Sequence, residues 1–161
     1  MKVLISFYSR TGVTRRAAKD IREMLLRSDV DCKIEDILDK KNRDGKIGYM
    51  AAGKDALMGK ETDIGKIKND PADFDLVVLG TPVWAGNMTP ALRTYIKRYK
   101  GDLSAAAFLC THGGGGESKT FKEVEKVAGV PPTETISLKD KDVRAKKHLH
   151  ELEQFVERLQ E

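Results

Sequence analysis

The sequence contains few cysteines and no long apolar run, and these two features limit the classes of protein to which it can belong. Its 161 residues include two cysteines, Cys32 and Cys110, which lie far apart and form no metal-ligand spacing. A secreted protein of this length often carries more paired cysteines, so we expect two buried free thiols. No apolar stretch approaches the roughly 20 residues that span a bilayer, and the run at residues 3–5 is too short for a secretory signal. The sequence therefore predicts a cytoplasmic protein without a membrane segment.

Aromatic residues are also scarce, at 6% of the chain, although the net charge is +4. A basic surface can attract nucleic acid, anionic cofactors or an acidic partner. Here the basic residues are mixed with acidic ones, as in residues 39–43, and no aromatic residues interleave with them. This pattern indicates a solvated mixed surface and argues against a nucleic-acid partner. The apolar share of 40% is enough for one core, so we expect a single domain over residues 1–161.

Short apolar runs alternate with amphipathic segments along most of the chain. The predicted strands cover residues 2–8, 32–37, 75–80, 105–110 and 133–138. The predicted helices cover residues 14–26, 49–58, 90–99 and 117–128, with a long final helix over 140–159. This alternation predicts an α/β fold in which helices cover both faces of a parallel sheet. The role of residues 39–70 stays open, because five glycines interrupt the pattern there.

Three loops follow predicted strands at the edge where open parallel sheets bind ligands. The first loop is residues 9–14, the second is residues 81–90 and the third is residues 111–118. All three are rich in Gly, Thr or Ser, which suits one shared ligand site.

The composition of the first loop points to a phosphate group as its ligand. Its hydroxyl groups can donate to phosphate oxygens, Gly12 lets the backbone turn, and the following helix start supplies free N–H groups. Arg15 and Arg16 are unexpected in a first helical turn, where each cation is disfavoured by roughly 0.3–1 kcal/mol. A bound dianion would reverse that effect, so we expect an anion at this position.

Residues 5–21 resemble the signature of the flavodoxin family. That signature has an aromatic residue, a hydroxyl residue, a small residue and a Thr, followed by an Ala and an aliphatic residue on the helix. The residues that fit it are Phe7, Ser9, Gly12, Thr14, Ala17, Ala18 and Ile21. Ser6 departs from the pattern, since the family usually has a bulky apolar residue there. Residues 80–90 and 111–116 look like the second and third FMN loops of the same family. The resemblance covers nearly the whole chain, in the family's short form.

This resemblance implies a three-layer sandwich around a five-stranded, doubly wound parallel sheet of order 2-1-3-4-5. It also implies FMN as the cofactor and redox chemistry, without a metal ion or an assigned catalytic residue. The cofactor-binding residues implied by similarity are Ser9, Arg10, Thr11, Gly12, Val13, Thr14, Thr81, Pro82, Val83, Trp84, Ala85, Gly86, Asn87, Thr111, His112, Gly113 and Gly114.

Several of these residues suit a flavin on physical grounds. Trp84 offers a wide apolar face for stacking, and the peptide between Ala85 and Gly86 could rotate to meet a flavin proton. The glycines after His112 would let backbone N–H groups approach the ring edge, while His112 could donate to a ring carbonyl. The alternatives are that Trp84 packs in the core and that the glycine run is merely flexible. We assign no role to the histidines at positions 148 and 150 of the final helix.

Several functions compete at this point. An electron carrier would serve redox partner proteins, whereas an FMN-dependent NAD(P)H:quinone-type oxidoreductase would need an open pocket above the flavin. The third loop lacks an aromatic residue and the chain is basic, and both features weaken the carrier interpretation without providing a substrate site. A regulatory module without turnover is a further class. Residues 113–120 nearly match a nucleotide P-loop, but Ser118 replaces its second glycine and no strand ends in the required Asp. We therefore predict a flavodoxin-like electron-transfer protein, with the oxidoreductase as the alternative.

Overall fold

The computed structural model describes residues 1–161, which form five strands, six α-helices and two short 3₁₀ turns. The strands are β1 (Lys2–Phe7), β2 (Asp31–Asp36), β3 (Leu76–Pro82), β4 (Ala106–His112) and β5 (Pro132–Lys139). The helices are α1 (Val13–Arg27), α2 (Gly45–Leu57), α3 (Pro90–Tyr99), α4 (Glu117–Ala128), α5 (Asp140–Arg144) and α6 (Leu149–Arg158). All strands pair in parallel in the order β2-β1-β3-β4-β5, which confirms the predicted topology.

The sheet separates two apolar cores, and its central strands are buried on both faces. A cluster of 20 buried residues packs under α1 and α6, and a second cluster of 17 packs under α3 and α4. Ser6, which departs from the family pattern, is fully buried, and its hydroxyl donates to the Tyr95 hydroxyl at 2.9 Å. Both cysteines are buried as expected, and burial raises the pKa of the Cys32 thiol to about 11. None of the helices has the length and apolar character needed to cross a bilayer.

The prediction of one long final helix over residues 140–159 is wrong. The chain forms α5, turns, and then forms α6, because Lys146 adopts a left-handed φ of 57° that a helix cannot continue through. The turn directs His148 inward, where its Nε2 lies 2.9 Å from Asp20 Oδ2 of α1. The His148 side chain is fully buried. This residue, to which the sequence assigned no role, therefore joins α1 to the start of α6.

The irregular segment before β3 contains α2, which begins four residues earlier than position 49. A buried ionic cluster holds this helix in place. The guanidinium of Arg43, a residue that is 4% exposed, donates to Asp39 at 3.0 Å and to Asp55 at 2.6 Å. Lys41 also donates to Asp55, at 2.7 Å. Because ionic contacts hold α2 in place, apolar periodicity did not predict its extent.

Candidate functional site

The three loops converge at the carboxyl edge of the sheet, as predicted. The first and third loops are joined by a hydrogen bond of 2.8 Å between the hydroxyls of Thr14 and Thr111. The second and third loops are joined by the Val83 N–H, which donates to the Thr111 carbonyl at 2.8 Å. A side chain at Gly116 would lie 3.2 Å from the Gly86 Cα, so these two loops also touch through their glycines.

The first loop leaves backbone N–H groups free at the start of α1. Gly12 precedes the helix with a φ of 93°, no side chain caps its first N–H groups, and no acidic residue occupies its first turn. Helix geometry gives those N–H groups no internal partner. Ser9 is nearly buried, and its hydroxyl accepts the Gly12 N–H at 3.1 Å. This arrangement suits an anion at the helix start, where the dipole is favourable.

The other first-loop residues differ in what they offer a ligand. Thr11 is exposed, whereas Val13 is buried in the core, so only the backbone of Val13 can contribute. The Arg10 guanidinium is held by the segment before α2, because its Nε donates to the Arg43 carbonyl at 3.0 Å. The same guanidinium lies 5.4 Å from the centre of the Tyr49 ring.

Arg15 and Arg16, whose position in the first helical turn suggested a bound dianion, both have carboxylate partners. Arg15 lies 2.7 Å from Asp36, and Arg16 lies 3.1 Å from Asp20. These ion pairs account for cations in the first turn of α1, so no bound dianion is needed to explain them. The evidence for an anion site in the first loop is therefore its free backbone N–H groups.

The second loop contains a tight two-residue turn. Trp84 and Asn87 exchange backbone hydrogen bonds of 2.9 and 3.0 Å across it. The central residues, Ala85 and Gly86, have positive φ values of 49° and 70°, as a type I′ turn requires. Positive φ is unfavourable for alanine, so the rest of the loop must hold this turn in place.

Trp84 is half-buried beside Tyr8, a residue at the end of β1 that the sequence did not assign to the site. The two ring centres are 5.4 Å apart and the planes are nearly perpendicular, at 87°. Burial raises the pKa of the Tyr8 phenol to about 12, with the nearby Asp39 carboxylate acting in the same direction. Tyr8 therefore stays neutral and provides an aromatic support for Trp84.

Thr81 and Asn87, two predicted site residues of the second loop, use their side chains for hydrogen bonds that shape the loop. The buried Thr81 hydroxyl accepts the Thr89 N–H at 3.1 Å and donates to the adjoining carbonyl of Pro82 at 2.8 Å. The Asn87 amide donates to the Ala56 carbonyl of α2 at 3.0 Å. These side chains are therefore engaged within the protein and hold the second loop in shape.

Arg93 is a buried residue of α3 that fastens the second loop to two helices. It is 4% exposed, and its Nη2 donates to Asn87 Oδ1 at 3.2 Å. Its Nη1 donates to Glu123 of α4 at 3.0 Å. The sequence did not assign Arg93 to the site, since its partners lie six and 30 positions away.

The third loop presents backbone and few side chains. His112 is 6% exposed, and its Nδ1 accepts the Gly115 N–H at 2.8 Å, which places the proton of the neutral ring on Nε2. The four residues Gly113, Gly114, Gly115 and Gly116 are exposed, and no aromatic residue lies among them. Gly116 precedes α4 without a side-chain cap, so this helix also begins with free N–H groups.

One polar atom at the start of α4 lacks a partner. Glu117 Oε2 is buried without a hydrogen bond, and it lies where the third loop enters the helix. A buried acceptor of this kind is unfavourable unless a donor reaches it. Free N–H groups, an aromatic surface at Trp84 and an unsatisfied acceptor together fit a ligand with a phosphate, an aromatic ring and a ring N–H, as FMN has.

An apolar groove of about 460 Å³ lies between α2 and the second loop. Its walls include Tyr49, Met50, Gly53 and Leu57 of α2, which face residues 83–85. The sequence did not predict this groove, because α2 belongs to the segment without a regular pattern. We call it the α2 groove.

Comparison with known proteins places these loops in a family context. The model of the family described as NADPH-dependent FMN reductase matches residues 1–129, a range that includes all three loops. A flavoprotein from Lactobacillus acidophilus NCFM, solved in complex with FMN, has a TM-score of 0.72 and 22% identity, covering 89% of this chain and 97% of that chain. Among curated proteins, no significant sequence match was found.

Two further structures show how widely this fold is shared. Oxidised flavodoxin 1 from Bacillus cereus has a TM-score of 0.58 and 16% identity, covering 98% of both chains. An NADH:FMN oxidoreductase in its apo form has a TM-score of 0.60 and 16% identity, covering 99% of this chain and 90% of that chain. At such identities these likenesses show the fold, whereas the match over residues 1–129 shows the family. The chain is therefore an FMN-binding flavoprotein of flavodoxin-like fold, and it belongs to the family of NADPH-dependent FMN reductases.

Proposed function

We propose that this protein is a reductase that accepts hydride from NAD(P)H onto FMN held by the three loops. The observation that carries the proposal is the open third loop, in which four exposed glycines replace any aromatic cover. An uncovered ring face leaves room for a nicotinamide ring to approach. When bound, FMN supplies a group that accepts two electrons as hydride and can release them singly or together. Membership of the reductase family supports the same function.

The first loop is proposed to bind the FMN phosphate. The free N–H groups at the start of α1 point toward that position, and the hydroxyls of Ser9, Thr11 and Thr14 lie in the same loop. Gly12 allows the backbone to turn there without a side chain. Arg10 is proposed to add positive charge beside the phosphate without contacting it, because its guanidinium donates to the Arg43 carbonyl and lies over the Tyr49 ring.

The second and third loops are proposed to hold the ring. Trp84 provides the stacking surface, and the strained turn at Ala85 and Gly86 places its peptide groups at the ring edge. Gly113 and Gly114 offer backbone N–H groups close to His112. With Nδ1 engaged by the loop, Nε2–H of His112 is the donor left for a ring carbonyl.

Anaerobic reduction of the FMN-loaded protein tests this function. We expect NADPH or NADH to bleach the visible flavin absorbance, and added FMN to quench the fluorescence of Trp84, the only tryptophan. If dithionite bleaches the flavin and neither nicotinamide cofactor does so, the protein is a carrier between redox partners and the proposal fails.

A covering residue in the third loop makes the test more specific. A Cβ atom at Gly114 would meet no atom within 4 Å, so the backbone there accepts a side chain and Gly114→Phe can add an aromatic cover. We expect slower reduction by NAD(P)H with FMN affinity largely unchanged. Gly101→Phe is the matched control, because Gly101 is equally open and lies outside the three loops. Equal reduction rates in the two variants would contradict the importance of the open face.

A further inference from the structure

We propose that a groove between α1 and β2 is a binding site for a small molecule that carries two or more anionic groups. This groove, which we call the α1–β2 groove, has a volume of about 420 Å³, within the range of small-molecule sites. Three of its seven lining residues are cationic, namely Lys19 and Arg22 of α1 and Lys33 of β2. Because these cations come from two elements that meet at one groove, a polyanion there would complement the charge of both.

The pairing of charges along α1 sets this groove apart from the rest of the helix. α1 carries five cationic residues. The three that lie outside the groove each have a carboxylate partner, and they are Arg15, Arg16 and Arg27. The two that line the groove, Lys19 and Arg22, form no ion pair, and neither does Lys33. Lys19 and Arg22 are three positions apart, so they are neighbours on the helix surface, where two like charges are unfavourable. A bound anion would remove that repulsion.

Little negative charge within the groove offsets these cations. Glu23 is the only carboxylate in the lining, and it already lies 3.9 Å from the guanidinium of Arg27. Burial raises the pKa of the Cys32 thiol, which also lines the groove, to about 11. The thiol therefore stays neutral at physiological pH and adds no negative charge. The lining keeps an excess of positive charge, which favours an anionic ligand.

Contacts with the rest of the fold hold the other lining residues in place. The Asn69 amide donates to Glu35 Oε2 at 2.8 Å and to the Ile34 carbonyl at 3.4 Å, which ties the segment before β3 to β2. Cys32 belongs to the core under α1, and Ile34 packs against that core. The groove is therefore formed before any ligand binds, as small-molecule sites usually are.

The α1–β2 groove is separate from the flavin site and does not rest on the proposed function. None of its lining residues belongs to the three loops. Arg22 lies ten positions after Gly12, which corresponds to about 15 Å along the axis of α1. Anion binding can therefore be measured in the FMN-loaded protein, in which the flavin site is already filled.

Calorimetric titration of the FMN-loaded protein with sodium pyrophosphate, in a buffer without divalent cations, tests the site. We expect one molecule bound per chain, with a dissociation constant below about 1 mM. A parallel titration with citrate distinguishes phosphate from carboxylate groups as the preferred ligand chemistry, and binding of either probe supports the proposal. Absence of binding by both probes would overturn it.

Variants of opposite charge effect make the test specific. Arg22→Gln should weaken pyrophosphate binding about fivefold, and Glu23→Gln should strengthen it about twofold, as expected for exposed charge contacts. Arg98→Gln is the matched control, because Arg98 is an exposed arginine of α3 that forms no ion pair and lies outside the groove. All three positions are exposed, so the variants should fold normally and keep their FMN affinity. Equal affinities in Arg22→Gln and Arg98→Gln, or weaker binding in Glu23→Gln, would contradict the assignment.

The position of the bound anion can be read from backbone amide chemical shifts of the FMN-loaded protein. We expect pyrophosphate to change the shifts of residues 19–23, 32–34 and 69, which include the lining of the α1–β2 groove. Changes confined to residues 9–14 would show that the anion competes with FMN at the first loop. Small changes spread over lysines of the whole surface would show nonspecific attraction. Either of these two patterns would overturn the proposal.

Discussion

Gly12 is the residue on which the backbone of the first loop depends most. Its φ of 93° lies in the region that β-branched residues avoid, and it immediately precedes the free N–H groups of α1. A side chain there would find space, since the nearest atom is 4.0 Å away on Arg15, so the obstacle is backbone conformation.

Gly12→Val is therefore expected to weaken FMN binding by about tenfold or more, because left-handed backbone costs about 1–2 kcal/mol for a residue with a side chain. Fluorescence titration of FMN measures this change. Gly101→Val is the control, since Gly101 has no positive φ and lies outside the loops. Equal FMN affinity in both variants would show that the first loop does not hold the phosphate.

At the scale of elements, Arg93 joins α3 to the second loop and to α4. Its two hydrogen-bonded partners, Asn87 and Glu123, come from different parts of the chain, and its guanidinium is nearly buried. Removing one partner of a buried charged contact leaves the other unsatisfied. The second loop then loses the support for its strained turn at Ala85.

Arg93→Met is expected to lower the free energy of unfolding by about 2–3 kcal/mol, measured by urea denaturation of the apoprotein. FMN affinity should fall as well, because Asn87 loses an anchor. Arg158→Met is the matched control, since Arg158 pairs with Glu134 at 2.9 Å on the surface and should contribute less than about 1 kcal/mol. Similar losses in both variants would contradict the assigned role of Arg93.

The junction of α5 and α6 depends on His148 in a comparable way. His148→Ala removes a buried ring and its contact with Asp20, so we expect a loss of about 2–4 kcal/mol in the free energy of unfolding. His150→Ala, two positions along, should change little because its side chain is 80% exposed. Thermal denaturation of the two variants measures this difference. Equal midpoints would contradict the role assigned to His148.

At the scale of the whole molecule, the cluster around Asp55 makes stability depend on pH. Hydrogen bonds from Lys41 and Arg43 lower the pKa of Asp55 to about 2. The unfolded value is about 3.9, so the carboxylate stabilises the folded state above that pH, and this contribution is lost as the pH falls toward 2. The lowered pKa corresponds to about 2–3 kcal/mol.

Asp55→Asn should therefore be less stable than the parent protein at neutral pH by about 2–3 kcal/mol, and the difference should narrow as the pH falls below about 4. Urea denaturation across this pH range measures the gap. Asp102→Asn, at an exposed position without an ion pair, should show no such pH dependence. A gap that stayed constant with pH would mean that the Asp55 carboxylate is not linked to folding.

The strand order and the three ligand loops were predictable because their signals are local. Strands of six to eight residues and turn glycines can be recognised within one short window. The helix break at Lys146 could not be predicted in this way, since it depends on a contact between His148 and Asp20, which are 128 positions apart. The extent of α2 was missed for the same reason, because Arg43 and Asp55 hold it through charge.

The sequence by itself determined the fold, the family resemblance, FMN as cofactor and the loops that could receive it. Only the tertiary structure decided how those loops are supported and what surrounds them. Arg93 meets Asn87, Tyr8 meets Trp84, and the α2 groove forms only where α2 reaches the second loop. Such contacts join side chains whose order along the chain carries no periodic signal. Their partners are set by how helices pack on the sheet, which a local pattern does not encode.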